Sequence, residues 1–457
     1  MDIPSRLIRN LFYPMWMVKD GNKGVLPYLN HFDFIDNLDR TELAERQASR
    51  LKCILIHAYE NTAYYRNLFD KVGFNPHEIV HTSEIRKLPL LTKDIVRRHF
   101  NDLTAHNIRR ELITEASTGG STGVPMRFLR DRESIYLRKG QELYFDRWMG
   151  YEIGNKVALF VAASHFDGVI EHLKAQARNA TCERMLNFDP HNITDHYMAS
   201  FMTKYKKFNP SMIKCFPNSL IVFADFIKRK GVQLSPVRSI SCTGENLYEH
   251  QRKLFQDTFG GEVFEKVGTR ESGVFACECH LHKGLHVFTE GVFLEILNSH
   301  GQPAQPGEIG KVIITDLFNR SMPLIRYDIG DMAIASDGRI CDCGNPLPLI
   351  EKLLGRDRDI ILDSYGNPKP GYLFAEVILD MNLSAQFQVV QPDKGSLWVK
   401  IVKKDAEPID TRKLQEAFQG IVGPFVRIEF EFVNEIPRDP SGKYGYVVSR
   451  LTQSGRY

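Results

Sequence analysis

Residues Ser117-Thr118-Gly119-Gly120-Ser121-Thr122-Gly123-Val124-Pro125 interleave three glycines with four hydroxyl side chains and close on a proline. Glycine lets the backbone come close to a ligand. A run of backbone N–H groups with Ser and Thr hydroxyls makes a nest for phosphate oxygens. On composition alone such a run also reads as a surface loop. It lacks the lysine of a Walker-type phosphate loop, so phosphate chemistry here needs partners from elsewhere in the chain.

Sulfur offers a second chemistry. Cys53, Cys182, Cys215 and Cys242 are scattered, whereas Cys277/Cys279 and Cys341/Cys343 form two C-x-C pairs. In a long chain that pattern indicates metal more than a disulfide framework. Cys279, His286, Cys341 and Cys343 supply three thiolates and one imidazole, a donor set suited to a tetrahedral structural zinc. Cys277, His280 and His282 are alternative ligands in the same stretch.

The elements that must position these groups alternate in type. Helical spacing over residues 40 to 60 predicts a helix. Thr92 can cap a helix from Lys93. Residues 112 to 130 read as strand, Gly-rich turn, strand, with a helix from about Asp131 to Met149. Strand signals at 156–162, 211–217, 237–242 and 263–267 alternate with helical stretches near 220–230 and 247–259, which implies an α/β domain. His165 follows the first of these strands, where ligands gather in open α/β sheets; a hydrogen-bonded structural histidine is the plainer reading. The last two of these strands end in Thr243-Gly244-Glu245 and Thr269-Arg270-Glu271. From about Gly284 the texture turns to β, with strands expected at 287–289, 293–297, 311–315 and 324–327. Gly355-Arg356-Asp357-Arg358-Asp359 punctuates the chain, and about 100 residues follow, the size of a small domain. That last stretch contains Pro437-Arg438-Asp439-Pro440-Ser441-Gly442-Lys443.

With 457 residues and 43% apolar content, the chain suits a soluble protein of two or three domains. Lys and Arg (59) nearly balance Asp and Glu (56), which argues against nucleic acid as the partner. No uncharged apolar run is long enough for a transmembrane helix. The stretch Leu11 to Met17 is too short and proline-broken for a signal peptide; it is expected to pack on the main domain, with weak interfacial contact with a membrane as the alternative. A cytoplasmic protein is expected.

In order and spacing, STGGSTGVP, CTGE, VGTRE, RYDIGD, GRDRD and PRDPSGK resemble the motifs of the adenylate-forming ligase superfamily. Within it, the chain looks like the phenylacetate–coenzyme A ligase-like branch, which includes proteins associated with capsular polysaccharide biosynthesis. The resemblance runs from about residue 40 to the C-terminus. It implies an α/β fold with a large multi-sheet N-terminal adenylation domain containing a β-rich segment (1–354) and a small α+β C-terminal lid that moves (355–457). It implies ATP-dependent activation of an aryl or related carboxylic acid to an acyl-adenylate, then transfer to coenzyme A. Ser117 to Gly123 would hold phosphates, Thr243, Gly244 and Glu245 would lie beside adenine, and Thr269 would contact the α-phosphate. Glu271 would bind Mg²⁺, while Asp331 and Arg356 would hold the ribose. Lys443 would bridge carboxylate and α-phosphate. Some members of this branch carry a similar C…H…CxC arrangement, which favours Cys279, His286, Cys341 and Cys343 as the zinc ligands. Val267 departs from the pattern, standing where the superfamily often has tyrosine, and Arg358 occupies the usual hinge aspartate.

Two other readings share these residues. The acyl group could pass to an amine, a sugar or a carrier protein in polysaccharide or natural-product assembly. Alternatively, the chain could be a non-catalytic nucleotide-binding relative. Oligomeric state is left open, with a homodimer among the options.

Overall fold

The computed structural model describes residues 3–118, 125–161, 169–190, 192–381, 386–402, 409–436 and 445–451. His165, Gly119, Gly120, Ser121, Thr122, Gly123 and Lys443 lie outside the described residues. The chain divides into two units. The first holds Met1–Glu295, Ile313–Ile329 and Gly338–Ile350, and the second holds Ile296–Val312, Gly330–Asp337 and Glu351–Tyr457.

In the first unit a hairpin of β1 (Ile113–Ser117) and β2 (Arg127–Asp131) carries the Gly-rich run. The strands β3 (Val157–Phe160), β4 (Met185–Asn187), β5 (Met212–Cys215), β6 (Ser239–Thr243) and β7 (Glu262–Thr269) form a parallel sheet in the order β4-β3-β5-β6-β7. Parallel neighbours need long crossovers, usually helices. Here the helices Asp195–Phe208, Pro217–Arg229 and Glu249–Phe259 fill that role. Antiparallel β8 (Gly273–Glu278) and β9 (Leu285–Val287) extend the sheet beyond β7, and Leu349 and Ile350 pair with β9.

The strands of a parallel sheet are buried on both faces and so carry apolar runs. One face packs Phe160, Phe188, Phe201, Phe223 and Phe259 into an aromatic cluster. The other meets Phe32, Tyr144, Phe145 and Phe288. The helix Arg132–Trp148 starts at Asp131, whose side chain accepts from the backbone of Ser134 at 2.8 Å. Further along, buried Asp146 takes Lys214 of β5 at 2.5 Å and Lys266 of β7 at 2.7 Å. One carboxylate thereby ties the helix to two strands.

Two expected strands need correction. At 287–289 the strand lies earlier, at Leu285–Val287, because the Phe288 carbonyl already accepts the turn bond from Gly291 N. The run 324–327 is not a strand; the strand is Tyr327–Ala335. Arg326 is held at φ 51°, a left-handed conformation that a bulky side chain rarely adopts. The turn lets its guanidinium reach Glu295 at 2.9 and 3.1 Å in the core. A buried bidentate ion pair has displaced the extended conformation that the apolar neighbours suggest.

In the second unit, Arg427–Phe432, Ser396–Val402, Gln386–Asp393 and Val447–Ser449 form a four-stranded sheet in that order. Phe374 and Ile378 from one helix and Leu414 and Phe418 from another pack with Val389, Leu397 and Val399 from this sheet. The α+β composition expected for the C-terminal part is present. Among the described residues no helix is long and apolar enough to cross a membrane.

Candidate active site and metal centre

Residues at the carboxyl ends of β5, β6 and β7 fall along one edge of the parallel sheet, where α/β folds bind ligands. After β6, Gly244 takes φ 75°, and a Cβ there would come within 2.6 Å of the Phe216 ring that follows β5. Glu245 accepts from the backbone N–H of Asn218 at 3.0 Å. Val267, near the end of β7, is buried, so the position offers an aliphatic surface inside the fold.

The turn after β7 is tightly specified. A Cβ on Gly268 would meet the Gly273 carbonyl oxygen at 2.6 Å. The Thr269 hydroxyl accepts from Ser272 N at 3.0 Å and lies 2.8 Å from Ser272 Oγ. Glu271 is only 5% exposed, and one of its carboxylate oxygens accepts from Tyr327 Oη at 2.8 Å. A carboxylate this enclosed is costly unless it is bonded and opposed by cations. Taken from the sequence alone, it would pass for a surface acid.

The base of the Gly-rich hairpin is held beside that turn. Ser117 is opposite Arg127, and Thr118 closes the ladder by giving its N–H to Met126 O at 2.9 Å and accepting from Met126 N at 3.0 Å. Arg270 donates to the Ser117 carbonyl at 3.0 Å. The Arg270 carbonyl in turn accepts from Arg130 of β2 and, at 3.4 Å, from Arg138. Burial, and then repulsion from Arg138, pull the Arg130 guanidinium down to about 10. Its Nε is buried without a hydrogen-bond partner. Three arginines therefore converge where the Gly-rich hairpin and the Glu271 turn meet. Sequence reasoning missed all three, together with Tyr327. The signal was weak, because Arg130 and Arg270 are 140 positions apart.

The second unit holds the other two predicted nucleotide residues. Buried Asp331 follows Gly330 (φ 78°), and Arg356 Nε lies 3.1 Å from its Oδ1. Arg356 also gives its backbone N–H to Asp359 at 3.0 Å. Burial pushes the Asp359 carboxyl up to about 6.

The sulfur cluster lies in the first unit. The ligand atoms of Cys279, His286, Cys341 and Cys343 all fall within 4.8 Å of one another. Cys279 and Cys341 sulfurs are 3.7 Å apart, and Cys343 Sγ is 3.5 Å from His286 Nε2. His286 Nδ1 lies 3.3 Å from the Leu347 carbonyl, which suits Nδ1 as donor and turns Nε2 toward the thiols. Outer-shell bonding of this kind orients metal-binding histidines. The alternatives are engaged or turned away. Cys277 donates to the Glu278 carbonyl, His282 lies 3.1 Å from both Glu278 and Glu262, and His280 is exposed.

The chain is similar to several known proteins. The family model of the CapK C-terminal domain matches residues 371–450. A phenylacetate–coenzyme A ligase of Escherichia coli K12 is 25% identical over 386 residues, 82% of this chain and 85% of the relative. Protein CapK of Staphylococcus aureus is 22% identical over 432 residues, 90% of each chain. Among solved structures, a 2-hydroxyisobutyryl-CoA ligase in complex with an acyl-AMP superimposes with a TM-score of 0.72 at 17% identity, covering 91% of each chain. The chain is thus similar in sequence to phenylacetate–coenzyme A ligases and to CapK, and it shares the fold of a solved acyl-CoA ligase.

Proposed function

We propose that the chain activates a carboxylic acid with ATP to an acyl-adenylate and passes the acyl group to coenzyme A. The observation that carries this reading is the Arg270–Ser117 bond, which holds the Gly-rich hairpin against the turn bearing buried Glu271. The substrate carboxylate attacks the α-phosphorus and pyrophosphate leaves. The thiol sulfur then attacks the acyl carbonyl carbon, and AMP leaves.

Charge must be stabilised on the phosphates throughout. The Ser117–Gly123 run supplies backbone and hydroxyl donors, and Arg130, Arg138 and Arg270 supply positive charge beside them. Thr269 is assigned to the α-phosphate and Lys443 to the carboxylate and α-phosphate. Glu271, oriented by Tyr327, would hold Mg²⁺, which neutralises phosphate charge. Thr243, Gly244 and Glu245 are assigned to adenine. Asp331 accepts from the ribose hydroxyls, as a carboxylate suits two hydroxyl donors, and Arg356 keeps it oriented. Residues 355–457 act as the lid. An aryl or related acid is the proposed substrate class, and the cytoplasm the proposed location. Cys279, His286, Cys341 and Cys343 would hold a structural Zn²⁺ that pins the β-rich segment.

A second reading keeps the adenylate and changes the acceptor to an amine, sugar or carrier protein. The match of residues 371–450 to the CapK C-terminal domain favours it. Pyrophosphate exchange across a panel of acids tests the first step. Exchange with an acid, followed by no coenzyme A-dependent product, supports the second reading. No exchange with any acid overturns both.

A further inference from the structure

We infer that the helical run Ser5–Lys19 is a docking surface for the anionic face of a phospholipid bilayer. Its inner side is fastened to the first unit. Ile8 and Met17 are buried, Trp16 Nε1 donates to Thr181 Oγ1 at 2.9 Å, and Arg9 pairs with Glu152. Its outer side presents Leu7, Leu11, Met15 and Val18, which are 50%, 49%, 59% and 66% exposed. Positions 7, 11, 15 and 18 recur at helical spacing and share one face. The turn Ile8–Phe12 is π-wound, with more residues per turn than an α-helix, which brings positions four apart closer to alignment. Scattered apolar residues on a surface need no explanation, but a continuous stripe does.

Charge selects the occupant. Arg6, Lys19 and Lys23 are exposed along the same segment. Lys19 Nζ lies 4.3 Å over the Trp16 ring, an arrangement in which stem and aromatic cover apolar surface while the charge stays outside. Asp20 is the only acid between residues 3 and 23, and Arg178 neutralises it at 2.5 Å. Beside the first turn, a cleft of about 310 Å³ adds half-buried Lys156 among its lining residues. A twofold contact between two copies would set the same surface against itself, bringing these cations together. A bilayer bearing anionic headgroups meets both the apolar stripe and its basic flanks. The inference rests on this helix alone and does not depend on the adenylation chemistry.

The test is flotation of the full chain with vesicles of phosphatidylcholine, alone or with about one-third phosphatidylglycerol. The chain should float with the anionic vesicles and bind them about tenfold more than the neutral ones. Leu11→Asp/Met15→Asp should lower that binding about tenfold with an unchanged melting temperature. Arg6→Glu/Lys19→Glu leaves the stripe intact and should remove the preference for anionic vesicles. Wild-type protein that floats with neither vesicle, or variants that bind like wild type, would overturn the inference. So would a wild-type dimer that Leu11→Asp/Met15→Asp converts to monomer, because the stripe would then be covered by a second copy.

Discussion

Arg270 gives a guanidinium N–H to the Ser117 carbonyl at 3.0 Å, and its own carbonyl is gripped by Arg130 and Arg138. The turn after β7 and the base of the Gly-rich hairpin are thus one mechanical unit. A fixed base would lower the conformational entropy that a glycine-rich run loses on binding phosphate, the role proposed for it.

Arg270→Ala should therefore weaken ATP binding more than it slows chemistry. Loss of one charge-assisted hydrogen bond is worth about 1.5–3 kcal/mol, which predicts a rise in KM for ATP of about tenfold or more. Steady-state exchange kinetics against ATP concentration check this. A kcat loss at unchanged KM would assign Arg270 a different role.

Tyr327→Phe removes the O–H donor from Glu271 and leaves the buried carboxylate oxygen unpaired, at a cost of about 1–3 kcal/mol. The expected result is a lower melting temperature and a higher Mg²⁺ requirement for exchange. Saturating Mg²⁺ should recover part of the lost rate. A variant with wild-type Mg²⁺ dependence would show that Tyr327 does not orient a metal ligand.

Much of this site was legible before the fold was in view. The glycine and hydroxyl spacing marked the hairpin, and Gly-Thr-Arg-Glu marked the end of β7. The arginine cluster was not, because hydrogen bonds between residues more than 130 positions apart leave no periodic trace. Arg326 shows the opposite failure. Its apolar neighbours signal a strand, yet the ion pair with Glu295 imposes a turn. The C-x-C pairs pointed to metal, the resemblance favoured Cys279 over Cys277, and packing brings Cys279 beside His286, Cys341 and Cys343. The stripe Leu7, Leu11, Met15 and Val18 was masked in the sequence by Pro14, and Ile8 and Met17 decide which side faces the fold.

His250 stands early in the helix Glu249–Phe259 and stacks on Tyr248. Burial lowers its pKa to about 4, below the ordinary 6.5. The unfolded chain then binds more protons than the folded one between these values, so this residue's contribution to stability is full above about pH 6.5 and falls as pH drops toward 4. His250→Gln should flatten the acid side of the stability curve, by up to about 3 kcal/mol at pH 4. Urea unfolding at a series of pH values measures this. Parallel curves for variant and wild type would contradict it.

Purified protein should contain about one zinc per chain, the stoichiometry of a closed four-ligand site. Cys341→Ser/Cys343→Ser should lose the metal and melt at lower temperature. Chelation should lower the wild-type melting temperature toward that of the variant. Full metal content in the double variant would refute the ligand set.

Acid-dependent exchange of labelled pyrophosphate into ATP tests the central claim most directly, with Glu271→Gln and Lys443→Ala alongside the wild type. The wild type should exchange with at least one carboxylic acid, and each variant should exchange about a hundredfold or more slowly, in line with the loss of a group that stabilises transition-state charge. Contradiction would come from folded wild-type protein that exchanges with no acid, or from variants that exchange at the wild-type rate.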